Sequence, residues 1–478
     1  MKNIKFLHIL LVLFCAGIFV ISCKKDSTST KTNTASEVDK FIWYNLSYYY
    51  LWADSVPKLT SSYFSNDTNK LNTFLATYTD PSKLFSDLLY KYGSVDRFSW
   101  IEEDSSTLQN ELKGVTKSMG FDYGLALLSD NSSIMGVVHY VLKGSPAESA
   151  GLKRGDLFTK VNGQQLTKSN YSSLLSNTTY NLTLAYITNN TLYTSTTTAT
   201  MTAVEVSENP ILFDSIYTIS GNKIAYLVYN GFYSDYDNQL NTVFASFKSQ
   251  GVNNLILDLR YNGGGAITTA NKLASMIYGT YTDKTFINTQ YNSYLQNYYT
   301  TQYGSNALKY NFTNTTGTST INTLNLSKLY VLTSGGTASA SELIINGLRP
   351  YIPVYIIGDT TYGKNVGSIT ITDTKKSAWA MQPIVVRMTN SLGKSDYTKG
   401  FAPNDVVLED ITNLIALGNT SEPLLQKAIG NISGTIATKA MTITKSVQMR
   451  IHQFTDRKDM IPHMKEMYLP SKSFMNKQ

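Results

Sequence analysis

Apolar residues recur at two different spacings along the chain, and the change of spacing divides it. Ile42, Leu46, Tyr49 and Tyr50 fall at helical intervals, as do Leu84, Leu88 and Leu89 after Pro81, so residues 37–113 predict a small helical domain. Over residues 114–203 the pattern becomes short alternating runs, 137–142 and 182–187 among them, which predict strands. Between those runs, residues 144–156 (Gly-Ser-Pro-Ala-Glu-Ser-Ala-Gly-Leu-Lys-Arg-Gly-Asp) predict a turn, a short helix stopped by glycine, and a tight turn into a strand over 157–161. Val161-Asn162-Gly163-Gln164 then supplies a hairpin turn.

Residues 204–431 alternate. Apolar strands at 224–229, 252–259, 329–333 and 354–358 are interleaved with helical runs carrying Leu240, Val243, Phe244 and Phe247, then Leu273, Ala274 and Ile277, then Leu343, Ile344, Ile345 and Leu348. Alternation of this kind predicts an α/β core. An Asn/Thr/Tyr-rich interruption at 281–324 is long for a connector and is expected to line a cleft or form a surface insertion. Residues 432–478 close the chain; from Lys445 onward it is basic and Met-rich, and the expectation is a partly disordered tail.

Length adds that 478 residues exceed one core. The composition, 42% hydrophobic and 16% charged, is that of a globular protein. The formal charge of +7 is small for the length, and no basic stripe with interleaved aromatics appears, which argues against nucleic-acid binding. The 34 tyrosines suit β-rich surfaces and grooves for extended peptides.

At the N-terminus Lys2 and Lys5 precede an apolar run, residues 9–21, that ends at Ser22-Cys23. Residues 1–22 read as a signal peptide. Val20-Ile21-Ser22-Cys23 resembles the bacterial lipobox, so Cys23 is expected to carry lipid and residues 23–36 to form a flexible tether. The competing reading, an uncleaved anchor helix, has fewer apolar residues than the ~20 a span needs. An exported lipoprotein of the bacterial outer membrane or periplasm follows as the expected location. The only other cysteine, Cys15, lies inside the signal, leaving the mature chain without a disulfide or a thiol nucleophile.

The candidate chemistry sits in the α/β part. Ser339 lies in Thr337-Ala338-Ser339-Ala340-Ser341-Glu342 at the start of a predicted helix. Lys364 follows Tyr362-Gly363 after an apolar strand. Serine needs a base to become a nucleophile. Of the four histidines, His8, His139, His452 and His463, none is near these segments in sequence. A buried lysine, neutral because its pKa has fallen, can serve as that base. The N–H of Ala340 and those of Gly264 or Gly265 are candidate donors to a developing oxyanion. No His/Cys/Asp cluster has metal-ligand spacing, and no cofactor is called for.

Together these segments resemble the tail-specific, or C-terminal processing, serine peptidases. Residues 337–342 look like that family's nucleophile segment, and Tyr362-Gly363-Lys364 looks like its Phe/Tyr-Gly-Lys segment at the matching 25-residue step. Leu257-Asp258-Leu259-Arg260-Tyr261-Asn262-Gly263-Gly264-Gly265 looks like its glycine turn, and residues 144–156 are similar to the PDZ signature. The sequence departs where Gly263 replaces a usual proline. It departs again at Ser368, where a lysine-orienting glutamine is common.

The resemblance implies a crotonase/ClpP-like core of βαβ units behind a helical domain and a PDZ domain, and a lipoprotein branch of the family found in Bacteroidetes-like bacteria. It also implies a Ser339/Lys364 dyad, Ser368 as a substitute lysine-orienting group, and a polypeptide substrate docking as an added strand. For the C-terminal carboxylate of that substrate, Gly120, Phe121, Tyr123 and Gly124 are the candidate loop, ahead of a strand over 125–128. Two alternatives stand beside this reading: a non-catalytic peptide- or glycan-binding surface lipoprotein on the same fold, and a hydrolase of small esters or amides.

Overall fold

The computed structural model describes residues 35–279, 282–373, 378–434, 452–461 and 464–469. The signal peptide, Cys23 and nearly all of the tether lie outside the described residues. Ser36, the last tether position, already belongs to the fold: its hydroxyl caps helix Glu37–Tyr49, and Asp39 returns a bond to the Ser36 backbone.

That helix packs Ile42, Leu46 and the following Tyr50 against Leu84 and Phe85 of helix Pro81–Asp87. These side chains are continuous with the core of the third domain, so the helical layer is fused to it rather than tethered. Buried polar bonds fix the seam. Tyr50 Oη donates to Asp96 at 2.8 Å, and Asn292 Nδ2 donates to the Tyr48 and Tyr50 carbonyls at 3.0 Å. The 281–324 interruption supplies Asn292. It folds into strand Thr285–Gln290, helix Ser293–Tyr303 and strand Lys309–Asn311, and it buttresses the N-terminal helices.

The β domain has a core of its own, built on Phe121, Leu125, Val138, Phe158 and Leu182. Its main path runs from strand Phe121–Leu127 through Ile134–Val141, Leu157–Val161 and Thr179–Thr188 to Thr191–Thr202. Ser145 caps the short helix Pro146–Ser149, with proline at its first position, as the sequence predicts.

In the third domain, strands Asn222–Tyr229, Asn254–Asp258, Leu329–Thr333 and Val354–Gly358 are neighbours in one parallel sheet. Apolar on both faces, they are buried between helices such as Ile267–Tyr278 and Ala340–Leu348 on one side and Pro423–Ser433 on the other. In open parallel sheets ligands bind beyond the carboxyl ends of the strands. The glycine turn, the Ser339 segment and the Lys364 segment each follow the carboxyl end of one of three adjacent strands. A second sheet contains strand Val366–Ile369, which antiparallel strand Ile384–Asn390 joins on one side.

Within the tail, expected to be partly disordered, two described segments form strands. Residues 452–456 form a strand on the edge of the β domain, and residues 467–469 form another within the second sheet. Neither segment carries a hydrophobic period. Their order comes from the backbone edges they meet and, at Met467 and Leu469, from side chains buried in the main core.

Candidate active site

Beyond strand Leu329–Thr333 the chain is stitched to the glycine turn before it reaches Ser339. Thr337 Oγ1 donates to the Leu259 carbonyl at 2.8 Å, Ala338 N to Asn262 O at 3.1 Å, and Ser341 Oγ to the same carbonyl at 3.0 Å. Ser339 is held at φ 64° and ψ −114°, a conformation costly for a side chain with a Cβ. A strained strand-to-helix turn of this kind projects the side chain away from the backbone. Ser339 is fully buried, and its Oγ has no hydrogen-bond partner among the described residues. A buried hydroxyl left unpaired costs about 1–3 kcal/mol, which calls for an explanation other than stability.

Glu342, one turn into the helix, organises both candidate segments. Its Oε2 accepts from the backbone N–H of Ser339 and of Lys364, each at 2.8 Å, and its Oε1 accepts from Gly363 N at 2.7 Å and Thr361 Oγ1 at 2.6 Å. Burial pushes its carboxyl up, and these four donors oppose that. Glu342 lies within the 337–342 motif, and the sequence alone assigns it no role. Its helical position three residues after Ser339 was the available signal.

Lys364 is fully buried. Phe98 of the N-terminal domain lies 4.7 Å from its Nζ, and Arg97 donates to the Gly363 carbonyl at 3.0 Å. Burial pushes the ammonium pKa below its ordinary 10.5, while Glu466 pulls it back up. The Nζ does not bond Ser339. It donates to the Lys465 carbonyl at 3.0 Å and pairs with Glu466 Oε2 at 3.1 Å.

At the glycine turn, a Cβ on Gly264 would meet Glu466 O at 2.2 Å, Ser339 Cβ at 2.7 Å and Ala340 N at 3.1 Å. Serine, helix N-terminus and a tail carbonyl therefore converge on one point, which only glycine leaves open. The Gly264 N–H is not a donor to that point, contrary to expectation, because Asn262 Oδ1 takes it at 2.8 Å. The Gly265 N–H donates to Glu466 O at 2.5 Å.

Ser368 does not reach Lys364 either. Its Oγ donates to Glu466 Oε2 at 3.0 Å and accepts from Gln382 Nε2 at 3.0 Å. Gln382 is buried, and its Oε1 has no partner among the described residues. A glutamine therefore stands beside Ser368 after all, supplied by a strand 14 positions later.

In the β domain, the segment expected as a carboxylate loop is mostly strand. Phe121 and Tyr123 turn their rings into the core because they alternate with the outward positions, Gly124 pairs with the tail at Asp456, and only Gly120 stands in the turn. His139 is near the glycine turn, stacked 4.6 Å from Tyr261, but its Nδ1 is 3.1 Å from Asp122 and its Nε2 faces Gly124. Arg154 of this domain reaches Glu409 at 2.6 Å, Tyr261 Oη at 2.7 Å and Ile415 O at 2.8 Å, tying the domain to the catalytic side.

Comparison with known proteins agrees with this division. Residues 223–407 match the family model for Peptidase family S41, residues 137–184 a PDZ domain, and residues 37–100 the Peptidase S41 N-terminal domain. A solved S41 protease structure from Bacteroides fragilis is 28% identical and superposes with a TM-score of 0.65, covering 82% of this chain and 97% of that one. A "Probable CtpA-like serine protease" of Staphylococcus aureus is 26% identical over 249 residues, 52% of this chain and 45% of that protein. A protein of the same description from Staphylococcus haemolyticus is 22% identical over 271 residues, 55% of this chain and 48% of that protein. The matched region spans under half the length of these curated relatives.

Proposed function

Since the chain belongs to Peptidase family S41 and carries a PDZ domain, we propose that it is a serine endopeptidase acting through Ser339 and Lys364 on unfolded polypeptides or their exposed C-terminal tails. The observation that carries this reading is a buried serine hydroxyl with no hydrogen-bond partner among the described residues and a buried lysine, set on turns anchored to one carboxylate. In the reaction Lys364, as free amine, takes the Ser339 proton while Oγ bonds the scissile carbonyl carbon. Ala340 N–H and Gly265 N–H receive the oxyanion. The lysine then returns the proton to the leaving amine as the C–N bond breaks, and water releases the acyl group by the same route. Ser368, bonded to Gln382 and to the Glu466 carboxylate that pairs with Lys364, would act on the lysine only through that carboxylate.

The edge of strand Phe121–Leu127 would take the substrate's C-terminal end as an added strand. Lipid on Cys23 would hold the enzyme at a membrane of the cell envelope; no helix among the described residues is long and apolar enough to cross one.

The test is digestion of β-casein by the soluble form, residues 24–478, beside Ser339→Ala and Lys364→Ala. Products from the wild type alone, with all three proteins folded by circular dichroism, support the dyad. Equal activity in either variant would overturn it.

A further inference from the structure

The tail lies on both surfaces that a substrate would need. Strand His452–Asp456 pairs antiparallel with the edge Phe121–Leu127, which no other strand among the described residues covers, from His452 opposite Leu127 to Asp456 opposite Gly124. Phe454 packs edge-on against Tyr171 at 5.4 Å. Arg457 enters the small pocket beside Gly120 and Phe121 and lies 3.9 Å from Asp122, and Lys458 Nζ donates to the Tyr261 carbonyl at 2.5 Å. The chain then reaches the cleft. Strand Met467–Leu469 sits between Gly265–Ala266 and Val366–Ile369, parallel to both. The Glu466 carbonyl takes the Gly265 N–H, and its carboxylate takes Lys364 Nζ and Ser368 Oγ, with Trp100 Nε1 donating to the other oxygen at 3.3 Å.

The order of these contacts matters. A substrate caught by its C-terminus would lay its last residues on the docking edge and lead earlier residues into the cleft. Here the docking edge holds the earlier segment and the cleft the later one, so the tail does not copy a captured substrate.

We propose that residues 452–461 and 464–469 are a built-in inhibitory strap, an intramolecular ligand covering the peptide-docking edge and the catalytic cleft together, with Glu466 occupying Lys364. The strap rests on the peptidase reading above and adds its regulation. A polypeptide whose C-terminal end competes for the Phe121–Leu127 edge lifts the first half of the strap and loosens the second, so the substrate class that opens the site is the class it cleaves.

The experiment uses the soluble form with Glu466→Ala and, separately, Arg457→Ala, which touches only the docking side. Two readouts are taken, β-casein hydrolysis and hydrogen exchange of the amides at 453–469. A strap in place nine-tenths of the time or more implies that each variant raises kcat/KM about tenfold or more. The wild type should also show slow exchange over 467–469 that each variant speeds. An active wild type with both variants no faster overturns the strap and leaves the peptidase standing. If no form cleaves casein, the peptidase reading falls, and exchange decides the strap alone: rapid exchange over 453–469 in the wild type overturns it, and protection lost in Glu466→Ala supports it.

Discussion

The amide N–H groups of Ser339 and Lys364 donate to the same atom, Oε2 of Glu342, each at 2.8 Å. Two segments 25 residues apart are thereby held in one geometry by a carboxylate that touches no substrate. Glu342→Gln replaces an acceptor with a group that is half donor, and at least one buried N–H loses its partner. The expected result is about 1–3 kcal/mol less stability and a fall in kcat of about a hundredfold with KM little changed, because the loss is in alignment of the reacting groups. Steady-state kinetics beside a thermal melt check this. A variant with unchanged kcat would show that the shared oxygen has no part in alignment.

Activity should rise with pH. Burial lowers the Lys364 pKa below 10.5, and only the free amine can accept the serine proton. A profile of kcat/KM should therefore climb through a midpoint below 10.5. Glu466 pulls the lysine pKa up, so Glu466→Ala should move that midpoint lower. Stability follows the same proton. Between the lowered folded pKa and 10.5 the unfolded chain binds more protons than the folded one, so the lysine's contribution to stability increases as pH rises across that window. A flat profile would remove Lys364 as the base.

Gly264→Ala places a methyl group 2.2 Å from the Glu466 carbonyl and 2.7 Å from Ser339 Cβ, at a backbone φ of 118°. The backbone conformation alone costs about 1–3 kcal/mol. Activity should fall by about a hundredfold or more in a protein that still folds, since the methyl fills the point where a substrate carbonyl would lie. Labelling of Ser339 by a fluorophosphonate should slow in parallel, and normal labelling would contradict this placement.

The strap was not legible in the sequence, and the reason is physical. Residues 452–456 and 467–469 are too short to show a hydrophobic period, and their strand form depends on pairing with strands a hundred or more residues away. Gln382 was hidden in the same way, since only the pairing of strands brings it to Ser368. Ser339, Lys364 and the glycine turn were legible because each is a local device, a helix start or a turn after an apolar strand, and the parallel sheet needs only to set three strand ends side by side. Gly264 falls between these cases. The need for glycine could be read from the turn, whereas the direction of its N–H is decided by the Asn262 side chain.

Arg154 links the PDZ domain to the peptidase domain through Glu409, which Arg260 also holds at 2.8 Å. These two guanidinium groups keep the Glu409 carboxyl well below the usual carboxylate range. Its stabilising effect is present above pH of about 4.5 and is lost as pH falls through the depressed value. Arg154→Ala removes one of two guanidinium partners, but Arg260 and the Tyr261 hydroxyl still hold Glu409, so a loss of about 1–3 kcal/mol is expected. Urea unfolding followed separately in the two domains should lose its coincidence, and a single unchanged transition would show that the domains are coupled elsewhere.

Phe98 and Arg97, more than 260 residues earlier in the chain, close over Lys364 from another domain. If Lys364 is the base, its strength is therefore not a property of the domain that carries it. A peptidase domain separated from residues 35–113 would retain serine, lysine and glycine turn but would admit water to the lysine and lose part of the burial that lowers its pKa. Under the proposed dyad the N-terminal domain is thus part of the chemistry, with Phe98 a dry wall that helps to lower the pKa of an otherwise ordinary lysine.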